Sequence, residues 1–345
     1  MRVRDLTFGA IAVVLLVGYI ILGQRVAPLL LPGAAATPTP ARPTGNVPAP
    51  PISGTIAFIL RGDLFVLTNG RYAARTDEGR SVTPAVTADG STLFFARVEQ
   101  IDGKSQVDGQ VVHARLGYSN IIREPASGGT EEIVVNGLMK SPNGFHQVKW
   151  YLAPAPSPDG KRLAVIEADP DGSSDLVVFD LATKKPMILS NGADWTDPAW
   201  SPDGKTIVVT AYDSGAPELL LKPTDGVARA TALKGIPDGE PYRPTYSPDG
   251  GWIVYTLRHD GKNDLHAFEI ATSRDLALTN DGQSWNPAFS PDGSQLAFLR
   301  SVSFTIDLWV MDLGGVLTTG GPTKGTQRIT NGEGIDGANR PSWGR

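Results

Sequence analysis

Short apolar runs separated by polar turns fill the chain from Thr55 to its end. The runs are rich in β-branched and aromatic residues, as in RLAVIEA, WIVYTLR and QLAFLRS, and Gly, Asp and Pro stand at the breaks between them. This pattern is typical of β-strands joined by tight turns. The runs recur in groups of four, about 44 residues apart, and therefore predict a repeated four-stranded unit.

The tetrapeptide SPDG marks the turn between the first and second strand of four units, each time three residues after a proline. Thr87–Gly90 (TADG) is a weaker copy of it. Proline fixes φ, aspartate bonds nearby backbone and glycine accepts a positive φ, which is the chemistry of a tight turn. A catalytic carboxylate is expected once, not once per repeat, so these residues are predicted to be structural. They are Asp159, Gly160, Asp203, Gly204, Asp249, Gly250, Asp292 and Gly293.

The repeat count predicts the closure of the fold. Five full units begin at Pro84, Pro154, Pro198, Pro244 and Pro287. A sixth has only its first strand, Pro341 to Trp343, whereas Thr55 to Gly79 supply strands two, three and four without a first. The chain is therefore predicted to be all-β, a six-bladed β-propeller whose terminal strands pair and leave no open sheet edge.

The N-terminus predicts a membrane anchor. Residues 6–23, LTFGAIAVVLLVGYIILG, carry no charge and as a helix would span about 27 Å. Arg2 and Arg4 precede them, which favours a cytoplasmic start at residues 1–5 and an extracytoplasmic remainder; a cleaved signal peptide is the alternative. Residues 24–53 are a Pro/Ala/Thr-rich linker, and residues 54–345 form the propeller. The predicted location is the cell membrane, single-pass, with the propeller periplasmic or extracellular.

Composition excludes several classes of function. The chain has no cysteine, which removes disulfides, thiolate metal sites and a cysteine nucleophile. A net charge of −5 and a pI near 5.4 indicate no nucleic-acid partner. The four histidines have no metal-ligand spacing, and no G-x-S-x-G is present. We therefore predict no catalytic residue, no metal and no cofactor.

At the repeated prolines the sequence resembles a known family. Proline, an aromatic or small pair, SPDG and an apolar strand are similar to the WD40-like PD40 repeats of TolB-like propellers. The resemblance covers Thr55 to Arg345 and implies the propeller fold. It is less specific for function, because this fold hosts binding proteins and enzymes alike.

The residues just before each first-strand proline are predicted to surround one mouth of the channel. They break the repeat, being Thr83, Ala153, Asp197, Arg243, Asn286 and Arg340, with Tyr151, Trp195, Tyr242 and Trp285 close by. Mixed charge and aromatic rings suit a peptide or a small polar ligand. The alternative is that the aromatic residues pack between blades.

A second break in the repeat lies at blade one, where residues 98–118 are an extra segment within the blade and residues 138–153 lie between it and the next blade. Their aromatic residues Phe145, Trp150 and Tyr151 suggest a binding rim, or a loop packed onto the blade. The main hypothesis is a non-catalytic module that binds a protein or peptide partner in the cell envelope. Two alternatives stay open, a membrane-tethered enzyme acting on glycans or small metabolites and a sensor or accessory subunit of an envelope complex.

Overall fold

The computed structural model describes residues 45–46, 52–107, 110–169, 173–190, 192–213, 215–319 and 325–345. The predicted cytoplasmic start and anchor, and most of the predicted linker, lie outside these residues. Within the described ranges, no helix is both long and apolar enough to cross a bilayer. The same ranges form six antiparallel sheets of at least four strands and one small hairpin.

The strands of the first half of the chain are β1 Gly45–Asn46, β2 Thr55–Leu60, β3 Asp63–Thr68, β4 Arg71–Ala74, β5 Ser81–Val86, β6 Thr92–Val107, β7 Gln110–Pro125, β8 Glu132–Val135, β9 Leu138–Met139, β10 Gln147–Val148, β11 Trp150–Pro156, β12 Arg162–Ala168, β13 Ser174–Asp180 and β14 Pro186–Ile188. The elements of the second half are β15 Trp195–Trp200, β16 Thr206–Ala211, β17 Glu218–Pro223, β18 Thr231–Ala232, β19 Glu240–Tyr246, β20 Trp252–His259, β21 Lys262–Glu269, β22 Arg274–Ala277, β23 Ser284–Phe289, β24 Gln295–Val302, β25 Thr305–Asp312, the short helix α1 Val316–Thr319, β26 Gly325–Arg328 and β27 Ser342–Gly344.

The predicted six-bladed propeller is confirmed. Blades 1 to 5 are β5–β8, β11–β14, β15–β18, β19–β22 and β23–β26, and blade 6 joins β27 to β2, β3 and β4. The closing pair is antiparallel, with Thr55 opposite Gly344 and Ile56 opposite Trp343. The Trp343 indole also donates to the Ser53 carbonyl at 2.8 Å. The C-terminal strand therefore completes a blade that the N-terminal strands begin.

The hydrophobic core is divided among the six boundaries between neighbouring blades. One buried cluster lies at each boundary. Between blades 6 and 1, for example, Ile59 and Leu64 pack with Leu93 and Phe95, all of them essentially inaccessible. A single blade has two apolar faces, so it is stable only when a neighbour covers each of them.

Each SPDG segment forms the same hydrogen-bonded turn. In Ser290–Gly293, the Ser290 hydroxyl donates to Asp292 Oδ1 at 2.6 Å and accepts from the Gln295 amide at 2.9 Å. The Gly293 amide donates to the Ser290 carbonyl, and φ of Gly293 is +73°. The weaker copy behaves alike, since the Thr87 hydroxyl donates to Asp89 Oδ1 at 2.6 Å.

A second repeated fastening joins strands three and four of four blades, and we call it the aspartate clasp. In blade 5, Asp307 Oδ1 accepts from the Thr330 hydroxyl at 2.9 Å and from the Gly332 amide at 2.7 Å. The same hydroxyl accepts from the Leu308 amide at 3.0 Å. The carboxylates of the four clasps are Asp63, Asp175, Asp264 and Asp307.

Blade 1 carries the largest departure from the repeat. Its strands β6 and β7 have 16 residues each, about twice the length of the second and third strands of the other blades. The outer part of this long hairpin meets the segment after β8, where the Lys104 amide donates to the Gly144 carbonyl at 2.7 Å. The interblade insertion is thus packed against the blade-one hairpin.

Candidate functional site

The residues before the first-strand prolines adopt an unusual backbone. Five of the six have left-handed φ values, between +49° and +60°: Thr83, Ala153, Asp197, Arg243 and Asn286. The pairing between first and second strand shifts register at the same point in all five blades. Such a bulge redirects the side chains of the bulged strand, so this position is defined by backbone geometry as well as by sequence.

The bulge also ties neighbouring blades together. The Thr83 amide donates to Asn339 Oδ1 at 2.6 Å, and the Ala153 amide donates to the Thr83 hydroxyl at 3.1 Å. The Arg243 and Asn286 amides likewise donate to threonine hydroxyls of the preceding blade, at 3.2 and 3.0 Å. The ring of residues is therefore part of the blade-to-blade fastening.

Three charged residues of the predicted mouth come together in the channel. Arg243 Nε lies 3.1 Å from Asp197 Oδ1, and both side chains are largely buried. Arg340 crosses the channel from blade 6 and donates to the Pro244 carbonyl at 2.6 Å and to the Pro198 carbonyl at 3.4 Å. Since blade 3 lies opposite blade 6 in a ring of six, the guanidinium of Arg340 reaches across the axis of the propeller.

Burial alters the electrostatics of Arg340. Removal from water lowers the pKa of its guanidinium to about 10; the Asp197 carboxylate acts in the opposite direction and Arg243 in the same direction. At neutral pH the side chain is still positively charged, because this pKa lies well above 7. The charges of Asp197 and Arg243 offset each other, which leaves one positive charge among the three.

Two of the four predicted aromatic residues are buried between blades. Tyr151 is 8% exposed and packs edge-to-face on Phe179, with ring centroids 6.0 Å apart; burial raises the pKa of its phenol. Trp195 is 6% exposed, and its indole donates to Asp213 Oδ2 at 2.8 Å. Both belong to clusters between blades, which favours the packing alternative for these two rings.

The other two aromatic residues are partly buried and hydrogen-bonded. The Tyr242 hydroxyl donates to Asn263 Oδ1 at 3.1 Å, and burial raises the pKa of Tyr242 to about 12. The Trp285 indole donates to the Gly337 carbonyl at 2.9 Å. Asn286 Nδ2 donates to the same carbonyl at 3.1 Å, whereas the buried Asn286 Oδ1 has no partner in the described structure.

A cavity of about 540 Å³ occupies the channel on the side of the SPDG turns. All six blades contribute to its wall, mainly through the repeated prolines and the residues that follow them. Of the eight residues predicted to bind a ligand, Arg340 alone lines this cavity. The opening therefore lies at the opposite end from the predicted mouth, with Arg340 at its inner boundary.

Sequence reasoning missed the aromatic part of the cavity wall. The rings stand two residues after the repeated proline in four blades, where the sequence reads PAW, PTY, PAF and PSW. They are Trp200, Tyr246, Phe289 and Trp343. The Trp200 indole donates to the Ala155 carbonyl of the neighbouring blade at 2.8 Å, and Arg162 stacks over the ring at 4.5 Å. The repeated P-x-aromatic spacing was the available signal.

The described residues give no metal centre. No group of three or more His, Asp or Glu side chains in these ranges has the arrangement to hold an ion. His266 instead joins a buried network, in which its Nδ1 lies 2.6 Å from Asp275 Oδ1 and the Tyr255 hydroxyl donates to Asp275 Oδ2 at 2.5 Å. This network links three strands of blade 4.

Comparison with known proteins agrees with this architecture. The family model for the PD40 TolB beta propeller domain matches residues 140–281. The crystal structure of TolB from Acinetobacter baumannii superposes with a TM-score of 0.62 at 20% identity, over 84% of this chain and 66% of that one.

The propeller is TolB-like.

Two curated relatives carry the same resemblance in sequence. The Tol-Pal system protein TolB of Anaeromyxobacter dehalogenans is 32% identical over 182 residues, which are 52% of this chain and 39% of the relative. A TolB homolog of Chlorobium luteolum is 24% identical over 204 residues, 59% of this chain and 42% of the relative. The TolB-like propeller thus aligns with about two fifths of the length of each relative.

Proposed function

We propose that this chain is a non-catalytic binding module of the cell envelope, and that its TolB-like propeller holds a segment of a protein or peptide partner in the central cavity. The observation that carries the proposal is the cavity itself, about 540 Å³ in volume and lined by all six blades. Specific ligand sites in proteins have volumes of about 300–1,000 Å³ and combine apolar walls with a few polar groups.

The composition of the wall supports an extended peptide segment as the occupant. Prolines of the repeat and of the SPDG turns surround the opening, and Trp200, Phe289 and Trp343 lie behind them. Proline and aromatic surfaces offer broad apolar contact and lose little side-chain entropy on binding. Binding here would need no motion of the blades, because each wall strand is fixed in its own sheet.

The proposed location is the extracytoplasmic face of the membrane. The uncharged segment at residues 6–23 supports an N-terminal anchor, and the names of relatives assigned to the Tol-Pal system support an envelope role. Fractionation of cells of the source organism, followed by N-terminal sequencing of the purified chain, tests this part. Recovery in the membrane fraction with Met1 or residue 2 at the N-terminus is expected. A soluble chain that starts after Ala36 would contradict the anchor.

A cavity-blocking variant tests the binding site. Ala88 is exposed at the rim of the cavity, so Ala88→Trp places an indole in its opening. Ala271, which is exposed in the turn between strands three and four of blade 4 and does not line the cavity, provides the matched Ala271→Trp control. Immobilised full-length wild type and both variants are each incubated with envelope extract.

The expected result is one saturable protein partner that the wild type and Ala271→Trp retain and Ala88→Trp loses. Equal retention by all three would remove the cavity from the proposal. A metal assay and a search for retained glycan on the same preparations test the enzyme alternative, and bound metal or glycan without a protein partner would support it.

A further inference from the structure

The charged groups of the cavity are unevenly distributed. The only charged side chains in its described lining are Asp89, Arg340 and Arg345. Asp89 accepts hydrogen bonds from the Thr87 hydroxyl and the Ser91 amide, at 2.6 and 3.0 Å, so its carboxylate holds a turn at the rim. Arg340 lies at the inner end. A group that enters the cavity along the axis therefore meets a cation last.

Arg340 is held in place without a charged partner. Its two hydrogen bonds go to the neutral carbonyls of Pro244 and Pro198, whereas Asp197 forms its ion pair with Arg243. A guanidinium has five N–H donors, so three donors of Arg340 have no hydrogen-bond partner in the part of the chain that the structure describes. The side chain is only partly exposed, and a largely desolvated cation with unused donors is stabilised by an anion that supplies the missing acceptors.

We infer that the cavity selects a carboxylate on the bound segment and that Arg340 is the residue that selects it. This inference rests on the proposed function. A carboxylate offers two oxygens in the plane that a guanidinium fork matches, and the apolar wall accommodates the rest of a peptide. An inorganic anion would leave most of the 540 Å³ cavity and its aromatic wall without contacts.

Two sources can supply this carboxylate, the C-terminus of a partner chain and an Asp or Glu side chain. Both offer the same two oxygens, so the structure assigns the chemistry and the experiment distinguishes the source. The probes are an array of hexapeptides rich in Pro and aromatic residues, each made in three forms. The first form has a free C-terminal acid, the second has a C-terminal amide with an internal Glu, and the third has a C-terminal amide with an internal Gln.

Binding of these peptides to the full-length protein is measured by isothermal titration for the sequences that the array selects. In the wild type, at least one of the two forms that carry a carboxylate is expected to bind at least ten times more tightly than the neutral form, which has the C-terminal amide and Gln. Arg340→Gln is expected to abolish this difference while leaving the affinity of the neutral form within about twofold. Arg229→Gln, at an exposed arginine outside the cavity lining, is the matched control and is expected to keep the difference.

The outcomes separate the inference from the proposed function. If acidic and neutral forms bind the wild type equally, the inference is wrong and the peptide-binding function stands. If no peptide binds, the proposed function fails as well. If the free-acid form alone shows the preference, the source is a chain terminus; if the Glu form alone shows it, the source is a side chain.

A measurement on the wild type covers the case in which Arg340→Gln does not fold. Protonation of the peptide carboxylate below about pH 4 removes its charge, so affinity for the acidic form should fall towards that of the neutral form. Affinity for the neutral form should not change over the same range. Parallel behaviour of the two forms would overturn the inference.

Discussion

The Asp307 carboxylate accepts a hydrogen bond from the Thr330 hydroxyl at 2.9 Å, across 23 residues of sequence. Three further blades repeat this clasp with their own aspartate and hydroxyl. Asp307 is fully buried, and it also pairs with Arg328. The clasp fixes the end of the fourth strand against the start of the third, beside the loop that leads to the next blade.

Replacement of Asp307 should therefore destabilise the fold strongly. Asp307→Ala leaves the Thr330 hydroxyl and the Arg328 guanidinium without their acceptor, and removing one partner of a buried ion pair costs about 3–5 kcal/mol. Urea unfolding followed by circular dichroism measures the effect. Asp238→Ala, at an exposed position in the loop before β19, is the control and should stay within about 0.5 kcal/mol of the wild type. Equal effects would contradict the clasp.

Loss of Trp343 should weaken the closure of the ring. The side chain is 7% exposed and its indole bonds the Ser53 carbonyl, so Trp343→Ala should cost about 3–5 kcal/mol. Hydrogen exchange should become faster first in β2 and β27, the two strands of the closing pair. Uniform acceleration in all blades would argue that closure has no local role.

Phe304 should be a site where a smaller residue stabilises the protein. It is fully exposed at the tip of the β24–β25 hairpin, and Ser303 and Phe304 have φ of +51° and +67°. The corresponding turns of blades 6 and 4 place Gly62 and Gly261 at the second position. A left-handed φ costs a non-glycine residue about 1–2 kcal/mol. Replacement by glycine removes this cost, but part of the gain is offset because glycine increases the conformational entropy of the unfolded chain.

Phe304→Gly should accordingly raise the free energy of unfolding by about 0.5–1 kcal/mol, measured by thermal and urea unfolding. Thr305→Gly, at the first residue of β25, should lower it, because it removes a β-branched residue whose hydroxyl donates to the Val302 carbonyl at 2.8 Å. A destabilised Phe304→Gly variant would mean that the ring contributes to packing, contrary to its exposure.

Acid should weaken the SPDG turns. Hydrogen bonds from Ser247 and Ser290, with those from neighbouring amides, lower the pKa of Asp249 and Asp292. A carboxyl group whose pKa is lower in the folded state stabilises the fold above its unfolded pKa, and this contribution is lost as pH falls through the folded pKa. The loss is therefore expected below about pH 4.

The double variant Asp249→Asn/Asp292→Asn should be less stable than the wild type at pH 7 and should lose less stability between pH 5 and pH 2.5. Urea unfolding at several pH values checks this. Asp238→Asn, in the exposed loop before β19, is the control and should follow the wild-type curve. Identical acid slopes for the double variant and the wild type would remove these turns as a source of acid sensitivity.

Much of the fold was predictable because the repeat is local. The hydrogen bonds of each SPDG turn lie within six residues. The apolar runs that predict the strands are likewise visible in adjacent positions of the sequence. The aspartate clasp was less visible, although its residues recur as an Asp-Leu pair and a later Ser or Thr followed by Gly. Nothing in the local pattern states that the Asp and the hydroxyl, 13 to 23 residues apart, share a hydrogen bond.

The candidate site was only partly predictable. The residues before the prolines stand out in the sequence because they break the repeat; in the structure Asp197 pairs with Arg243, and Arg340 lies near both. The aromatic wall was missed because Trp200 and Phe289 belong to the repeat. A residue that repeats can still line a cavity, since every first strand of a propeller faces the same axis.

The sequence by itself determined the number of blades, their strand order and the closure by the two chain ends, because spacing and turn chemistry are properties of adjacent residues. Only the tertiary structure decided where the cavity lies in the channel. Arg340 bonds carbonyls 96 and 142 residues away, and these partners are adjacent only once the ring has closed. The inner boundary of the cavity, and with it the charge that a ligand meets, follows from that closure.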